Sequence, residues 1–475
     1  MTDSVTSDSV MTIDGEAVTG EGAFDVLDPA TGAPMGSAPQ CSPAQLDRAM
    51  RSAQRAQKSW ALDHEARRKA MHEAAEIMRN SAPELGPEFT REHGAPVQHA
   101  VGQIIISAAW LDYFADLELP ASTVRTLPDR TIEISRRPIG VAAAITPWNA
   151  PILLAVWKIA PALAAGATMV LKPSPHTPLT TLALGRLLSA ALPPGVLNVI
   201  SGLEPLGQQL VSHPVPRKIA FTGSIPTGKA VGVAAAHDLK RVTLELGGND
   251  AAIVLDDADI DAVVEPLFQS AFANSGQICE ATKRVYVPER LYRRLLDALA
   301  DRARAARVGS GLEPGVEMGP LTTDFQRDHV EDLVQEARAA GATIAAGGNR
   351  LPGDGYFFEP TVLGNVREGT RIVDEEQFGP ALPVLAYKDL DEAVERANAT
   401  MYGLSGSVWS TDLQRARSVA ARLETGRVKI NTFGLPSPDA PFGGVKWSGV
   451  GVENGPWALE AYTDLHVTEI GVGSH

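Results

Sequence analysis

A cysteine, a glutamate and an asparagine are the side chains of this sequence best suited to covalent chemistry. Cys279 sits in ANSGQICEATKR (residues 273–284), behind a Gly-Gln pair and directly before Glu280. A packing cysteine has apolar neighbours and is inert, whereas a thiol in polar, loop-like company can ionise and meet a ligand. The only other cysteine, Cys41, precedes a Ser-Pro in the N-terminal region and is read as a bystander. Glu245 stands in TLELGGND before two glycines, where a carboxylate can act as general base on water. Asn149, in TPWNAP, offers an uncharged amide suited to an oxyanion. Losing one such donor typically costs ~10²–10³ in rate.

The elements around these residues tell where they point. From Ile139 onward, short apolar strands alternate with helical stretches: IGVAAAITPW, then ILLAVWKIAPALAAG, then TMVLKPS and LTTLALGRLLSAAL. GVLNVIS, RKIAFTG and KRVTLEL continue the strands, and a second α/β run starts after Gly248. This alternation predicts a parallel sheet covered on both faces. Asn149, Lys172 of LKPSPHTP, Gly223 and Ser224 of FTGSIPTG, and Glu245 all fall at carboxyl ends of predicted strands, where such sheets bind ligands. The helix opening at Ser224 offers free N–H groups and a positive dipole end, a pyrophosphate site without a G-x-G-x-x-G fingerprint. Lys172 can reach ribose hydroxyls or phosphate. Two segments fit neither layer: RTIEISRRPIG and YTDLHVTEIGV alternate like exposed strands, which invites pairing with another subunit.

At 475 residues the chain is long enough for two or three domains. A formal charge of −15 (42 basic against 57 acidic residues) argues against nucleic acid or an anionic membrane as partner. Two cysteines and no C-x-x-C fit a reducing compartment, and no apolar run reaches membrane-spanning length, so a cytoplasmic protein is expected. MTDSVTSDSV lacks the charged and apolar regions of a targeting peptide and reads as a disordered tail. The ten histidines show no H-E-x-x-H spacing, so no metal is expected.

Taken in order, these segments, with EEQFGP (375–380) and PFGGVKWSGVG (441–451), resemble the aldehyde dehydrogenase superfamily from about Phe24 to Ile470. The resemblance implies a Rossmann-like cofactor domain plus an α/β catalytic domain with a protruding β oligomerisation hairpin. It divides the chain into a tail over 1–20, an NAD(P)-binding domain over 21–119 and 139–247, and a catalytic domain over 248–447. Residues 120–138 and 455–475 become oligomerisation elements of a homodimer or homotetramer. It implies Cys279 as nucleophile, Glu245 as general base, and Asn149 with the Cys279 N–H as oxyanion hole. Lys158 and Glu453 match a proton relay from the base. Lys172 and Glu376 would hold cofactor riboses and Ser224, next to Gly223, the pyrophosphate. Phe378 would lie against the nicotinamide side and Trp148 near the adenosine half. The implied reaction oxidises a small-molecule aldehyde to the acid through a thiohemiacetal and a thioester.

Three departures from the family pattern matter. Pro175 stands where many NAD-preferring members have a glutamate, so NADP is admitted beside a favoured NAD. Ala150 follows Asn149 where an aromatic is frequent, and Gly434 and Pro436 occupy pocket positions that are often polar or aromatic. With Trp157 and Phe442 kept, this implies a widened apolar pocket and a bulky or aromatic aldehyde. Glu280 adjoins the nucleophile and is expected to be exposed or paired, with Arg284 as candidate partner. The alternatives are a CoA-acylating semialdehyde dehydrogenase, which can dispense with a base like Glu245, and a cysteine-dependent esterase.

Overall fold

The strand–helix alternation after Ile139 folds into a sheet that is parallel at its centre and mixed at its edges. This computed structural model describes residues 9–120 and 122–471. The first sheet has eight strands, in the order Gly449–Val450, Arg241–Glu245, Lys218–Thr222, Val141–Ile145, Thr168–Lys172, Leu197–Val199, Met11–Ile13 and Glu16–Val18. The central five are parallel, and the rest add antiparallel at the two edges. Alanines in VAAAI let the apolar helix Pro151–Ala164 pack closely above, with proline in its first turn, where its missing N–H costs nothing. Gly166 closes that helix at φ +84°, where a Cβ would stand 2.9 Å from Pro138 Cγ.

The expected disordered tail over 1–20 is corrected for its second part. Met11–Ile13 and Glu16–Val18 form a hairpin on the sheet edge, with Met11 and Ile13 fully buried and Thr12 paired to Val199. Asp14 and Gly15 turn it at φ +59° and +75°, the positive values a tight hairpin requires. Residues 1–8 of that expectation lie outside the described residues.

A second, seven-stranded sheet runs Thr343–Ala346, Thr361–Gly364, Ala381–Tyr387, Thr282–Pro288, Asp250–Val254, Ser405–Trp409 and Arg427–Ile430. It is parallel except for its first pair. The chain then returns: Gly449–Val450 pairs with Leu244 and Glu245, so the strand ending on Glu245 is flanked by a segment from beyond the second sheet. A third sheet joins Thr123–Thr126, Arg130–Pro138 and Thr463–Gly471 antiparallel, with Thr463 opposite Pro138 and Gly471 opposite Arg130. Val124, Leu465, Val467 and Ile470 stand exposed on it. Among the described residues, no helix is long and apolar enough to cross a membrane.

Candidate active site

The helix Ile260–Phe272 ends just ahead of the Cys279 loop, and the chain then takes an uncommon path. Asn274, Ser275 and Gly276 all have positive φ (54°, 55° and 76°). Left-handed backbone costs an L-residue about 1–2 kcal/mol, so the bend must be held by its surroundings. Ser275 Oγ donates to Gly319 O at 2.8 Å, and Gln277 Nε2 donates to Asn274 O at 3.0 Å. Gly276 has no alternative, since a Cβ there would lie 2.3 Å from Gly379 O. The Gly-Gln pair before the cysteine is thus the hardware of the bend, which leaves Cys279 partly exposed. Burial in the surrounding protein pushes the thiol pKa up, the Glu280 carboxylate adds to this, and the Lys283 ammonium opposes both.

Asn149 reaches this loop from the other sheet. Its Nδ2 donates to Gln277 O at 2.9 Å, and its own carbonyl accepts from Asn274 Nδ2 at 2.9 Å and His93 Nε2 at 2.8 Å. Thr322 closes a ring: its N–H donates to Gln277 Oε1 at 2.9 Å and its Oγ1 to His93 O at 2.8 Å. The Ala95 N–H donates to His93 Nδ1 at 3.2 Å, which assigns the proton to Nε2. Burial keeps this imidazole neutral by lowering its pKa to about 4. His93 carries no sequence signal, because its partners lie far along the chain. The neighbouring Glu92 is equally hidden: its carboxylate accepts the Leu179 and Thr180 N–H groups at 2.7 and 2.9 Å, capping the helix Leu179–Leu188. His93→Leu is expected to lower kcat ~10–100-fold, less than loss of the Asn149 amide itself. KM for the cofactor should stay unchanged, and His93→Gln, which keeps a donor, should recover part of kcat. An unaltered kcat in folded His93→Leu would remove His93 from the account.

Glu245 is 3 % exposed, and among the described residues neither of its carboxylate oxygens has a hydrogen-bond partner. An unsatisfied buried polar group costs about 1–3 kcal/mol and in a native structure usually marks function. Burial raises its pKa well above the usual carboxylate range, the Glu453 charge raises it further, and Lys158 opposes them. Lys158 Nζ donates to Glu453 Oε1 at 2.8 Å and to Thr222 Oγ1 at 2.7 Å, all deeply buried. Gly443 faces Glu245, where a Cβ would approach Oε1 to 3.3 Å.

A cleft of about 280 Å³ opens over Cys279 between the sheets, lined by Trp148, Asn149, Gly223, Ser224, Glu376 and Phe378 among others. Ser224 caps the helix Ile225–His237, accepting from the Thr227 N–H at 3.4 Å. Glu376 accepts from the Gly248 N–H at 3.1 Å, and the Trp148 and Phe378 rings meet edge to face at 5.4 Å. Lys172 lies at the end of the strand beside Val141–Ile145, outside the cleft walls, with its pKa lowered by burial. The expected pocket residues are less open. Trp157 stacks on Trp110 at 5.8 Å and meets Phe442 at 5.1 Å, both Trp157 and Phe442 being buried. Ala150, half-buried, occupies the N-cap position of the helix Pro151–Ala164 without a side-chain capping bond.

The expected Glu280–Arg284 pairing is corrected. Glu280 is buried against Arg427 at 3.0 Å and Lys429 at 3.1 Å. Arg284, on the strand Thr282–Pro288, instead donates to the carbonyls of Asn249 (2.8 Å) and Ala397 (3.1 Å). Strand geometry accounts for the switch: Arg284 is held among the carbonyls beside its own strand, while the strand Arg427–Ile430 brings two cations to Glu280.

The aldehyde dehydrogenase family profile matches residues 17–468. A betaine aldehyde dehydrogenase of Cereibacter sphaeroides is 40 % identical over 453 residues, 94 % of each chain. A 3-sulfolactaldehyde dehydrogenase of Pseudomonas putida is 39 % identical over 461 residues, 94 % of this chain and 93 % of its own. Among solved structures, an NAD+ complex of aldehyde dehydrogenase from Bacillus cereus superposes with TM-score 0.95 at 35 % identity, covering 98 % of this chain and 97 % of that one. An E. coli NADP-dependent enzyme does so with TM-score 0.95 at 36 % identity over 98 % of both chains.

Proposed function

The chain belongs to the aldehyde dehydrogenase family, whose members work with NAD or NADP, and from that premise we propose that it oxidises a bulky or aromatic aldehyde to its acid through Cys279. The observation that carries the reading is a half-buried cysteine lining a cleft, with an asparagine amide on its loop and, close enough for its charge to act on the thiol, a buried carboxylate without a partner among the described residues.

The site fits the dinucleotide. Ser224 opens a helix whose first N–H groups suit a pyrophosphate. Gly247 leaves room where a Cβ would stand 2.1 Å from Glu376 Oε2, so that carboxylate is free to accept from ribose hydroxyls. Trp148 and Phe378 supply apolar walls; Lys172 stands outside those walls, and its ribose role rests on the family resemblance alone. Pro175 puts no carboxylate after Lys172, which favours acceptance of both NAD and NADP, with NAD preferred. When bound, the cofactor supplies a hydride acceptor.

The chain's own residues do the rest. Cys279, once ionised, attacks the aldehyde carbon. Asn149 Nδ2 and the Cys279 N–H stabilise the oxyanion. After oxidation the acyl group remains on Cys279 as a thioester. Glu245 takes a proton from water, which releases the acid, and Lys158 and Glu453 carry that proton onward. A base with no competing hydrogen bond is ready to accept one, which disfavours the CoA-acylating alternative.

The bulky substrate is supported by the small side chains of Ala150 and Gly434, where the family pattern often carries aromatic or polar groups; Trp157 and Phe442 are buried against each other rather than in the cleft lining and add no support. The exposed apolar side chains of the third sheet support a homodimer or homotetramer built through it. Initial rates of nicotinamide reduction with aromatic and short aliphatic aldehydes test the substrate. Aromatic aldehydes should show the higher kcat/KM; the reverse order rejects the bulky-substrate reading. Absence of turnover with every aldehyde, from folded protein with a titratable Cys279 thiol, rejects the activity.

A further inference from the structure

The nucleophile loop is held by a cation with no place in the mechanism above. Lys283 has a side chain only 2 % exposed. Its Nζ donates to Ile278 O at 2.8 Å and to Cys279 O at 2.6 Å, and stands 3.4 Å from Glu376 Oε1. A trans peptide is planar, with its C=O and N–H pointing in opposite directions. Holding the Ile278 carbonyl on Lys283 therefore turns the Cys279 N–H, in the same peptide unit, away from the ammonium. That N–H makes no hydrogen bond among the described residues. Asn149 Nδ2 meanwhile binds Gln277 O, in the same loop. The second oxyanion donor is thus aimed by a lysine behind it.

The same ammonium faces the cofactor side. Glu376 is half-buried; desolvation favours its neutral form, and the Lys283 charge works against that. An ionised Glu376 can accept from ribose hydroxyls; a protonated one has lost acceptor capacity.

Building on the reading of Cys279 as nucleophile, we infer that Lys283 is a positioning residue: it turns the Cys279 N–H toward the oxyanion and holds the Glu376 carboxylate charged toward the cofactor. One buried cation would then set both the acyl-transfer and the cofactor halves of the site. The thiol shares in this, since Lys283 opposes the burial and carboxylates that discourage its ionisation.

Ester hydrolysis without cofactor isolates the first role, because it needs the oxyanion hole but no hydride acceptor. In Lys283→Met, kcat for p-nitrophenyl acetate should fall about tenfold or more, as for a misaimed oxyanion donor, with KM little changed. The pH midpoint of Cys279 alkylation by iodoacetamide should move up, and KM for NAD should rise in the oxidation assay. Lys283→Arg should return the alkylation midpoint toward wild type. Lys283→Gln, a neutral donor, serves if the methionine variant does not fold, and it too should raise the midpoint. A folded neutral variant with unchanged ester kcat and unchanged midpoint overturns the inference. Ester hydrolysis surviving in Cys279→Ser would instead overturn the nucleophile reading on which it rests.

Discussion

Cys279→Ser is expected to lower kcat for aldehyde oxidation roughly 10⁴-fold or more, the scale of removing a covalent nucleophile from an otherwise intact site. A serine hydroxyl ionises far less readily than a thiol, so the first bond to the aldehyde carbon is lost. The fold should not notice. Cys279 is partly exposed, and the bend before it is held by Asn274, Ser275 and Gln277. The melting temperature and cofactor binding should therefore match the wild type, and circular dichroism melts with fluorescence titration of NAD check both. Activity within tenfold of wild type would mean that another group forms the covalent bond.

Glu245→Gln is expected to separate the two halves of the reaction. Nicotinamide reduction in the first turnover should persist, while steady-state turnover falls ~10²–10⁴-fold, the usual contribution of a general base. Stopped-flow absorbance would show a burst followed by a slow phase. The wild-type steady-state rate should fall with acid, on a limb lying above the usual carboxylate range, because the proposed base Glu245 would act ionised and its pKa is raised by burial and by Glu453. Stability moves oppositely. The folded state holds the Glu245 proton where the unfolded chain has released it, so wild-type stability declines as pH rises from the unfolded pKa through the folded one. Glu245→Gln should thus gain stability over wild type at pH 8 relative to pH 5, read as melting temperature. A stability difference independent of pH would contradict the raised pKa.

How much of this was legible in the residues varies with the range of the interaction concerned. The strands from Val141 to Glu245 and the loop around Cys279 are visible because apolar runs, glycines and prolines act locally. Asn149, Ser224 and Cys279 meet at one cleft because strand ends of an α/β sheet share an edge, which the alternation already implies. The hairpin at Met11–Val18 was hidden by its polar approach, although Asp14–Gly15 is a turn signal in its own right. His93, Thr322 and Lys283 were illegible for a different reason. Their roles are hydrogen bonds to backbone carbonyls and amides on other segments, and backbone partners leave no residue type to recognise. Nearness in sequence suggests Arg284 as the partner of Glu280, whereas the pairing of the strand Arg427–Ile430 with Ser405–Trp409, which brings Arg427 and Lys429 to it, belongs to tertiary structure.

The most direct test of the central claim is the covalent intermediate itself. Glu245→Gln, mixed with an aromatic aldehyde and NAD and quenched in acid within the burst, should gain the mass of the aldehyde less two hydrogens. Peptide mapping should place the adduct on the Cys279 peptide, and hydroxylamine should remove it, as expected of a thioester. A burst of reduced nicotinamide with no mass on Cys279, or with the adduct on another residue, would contradict the account.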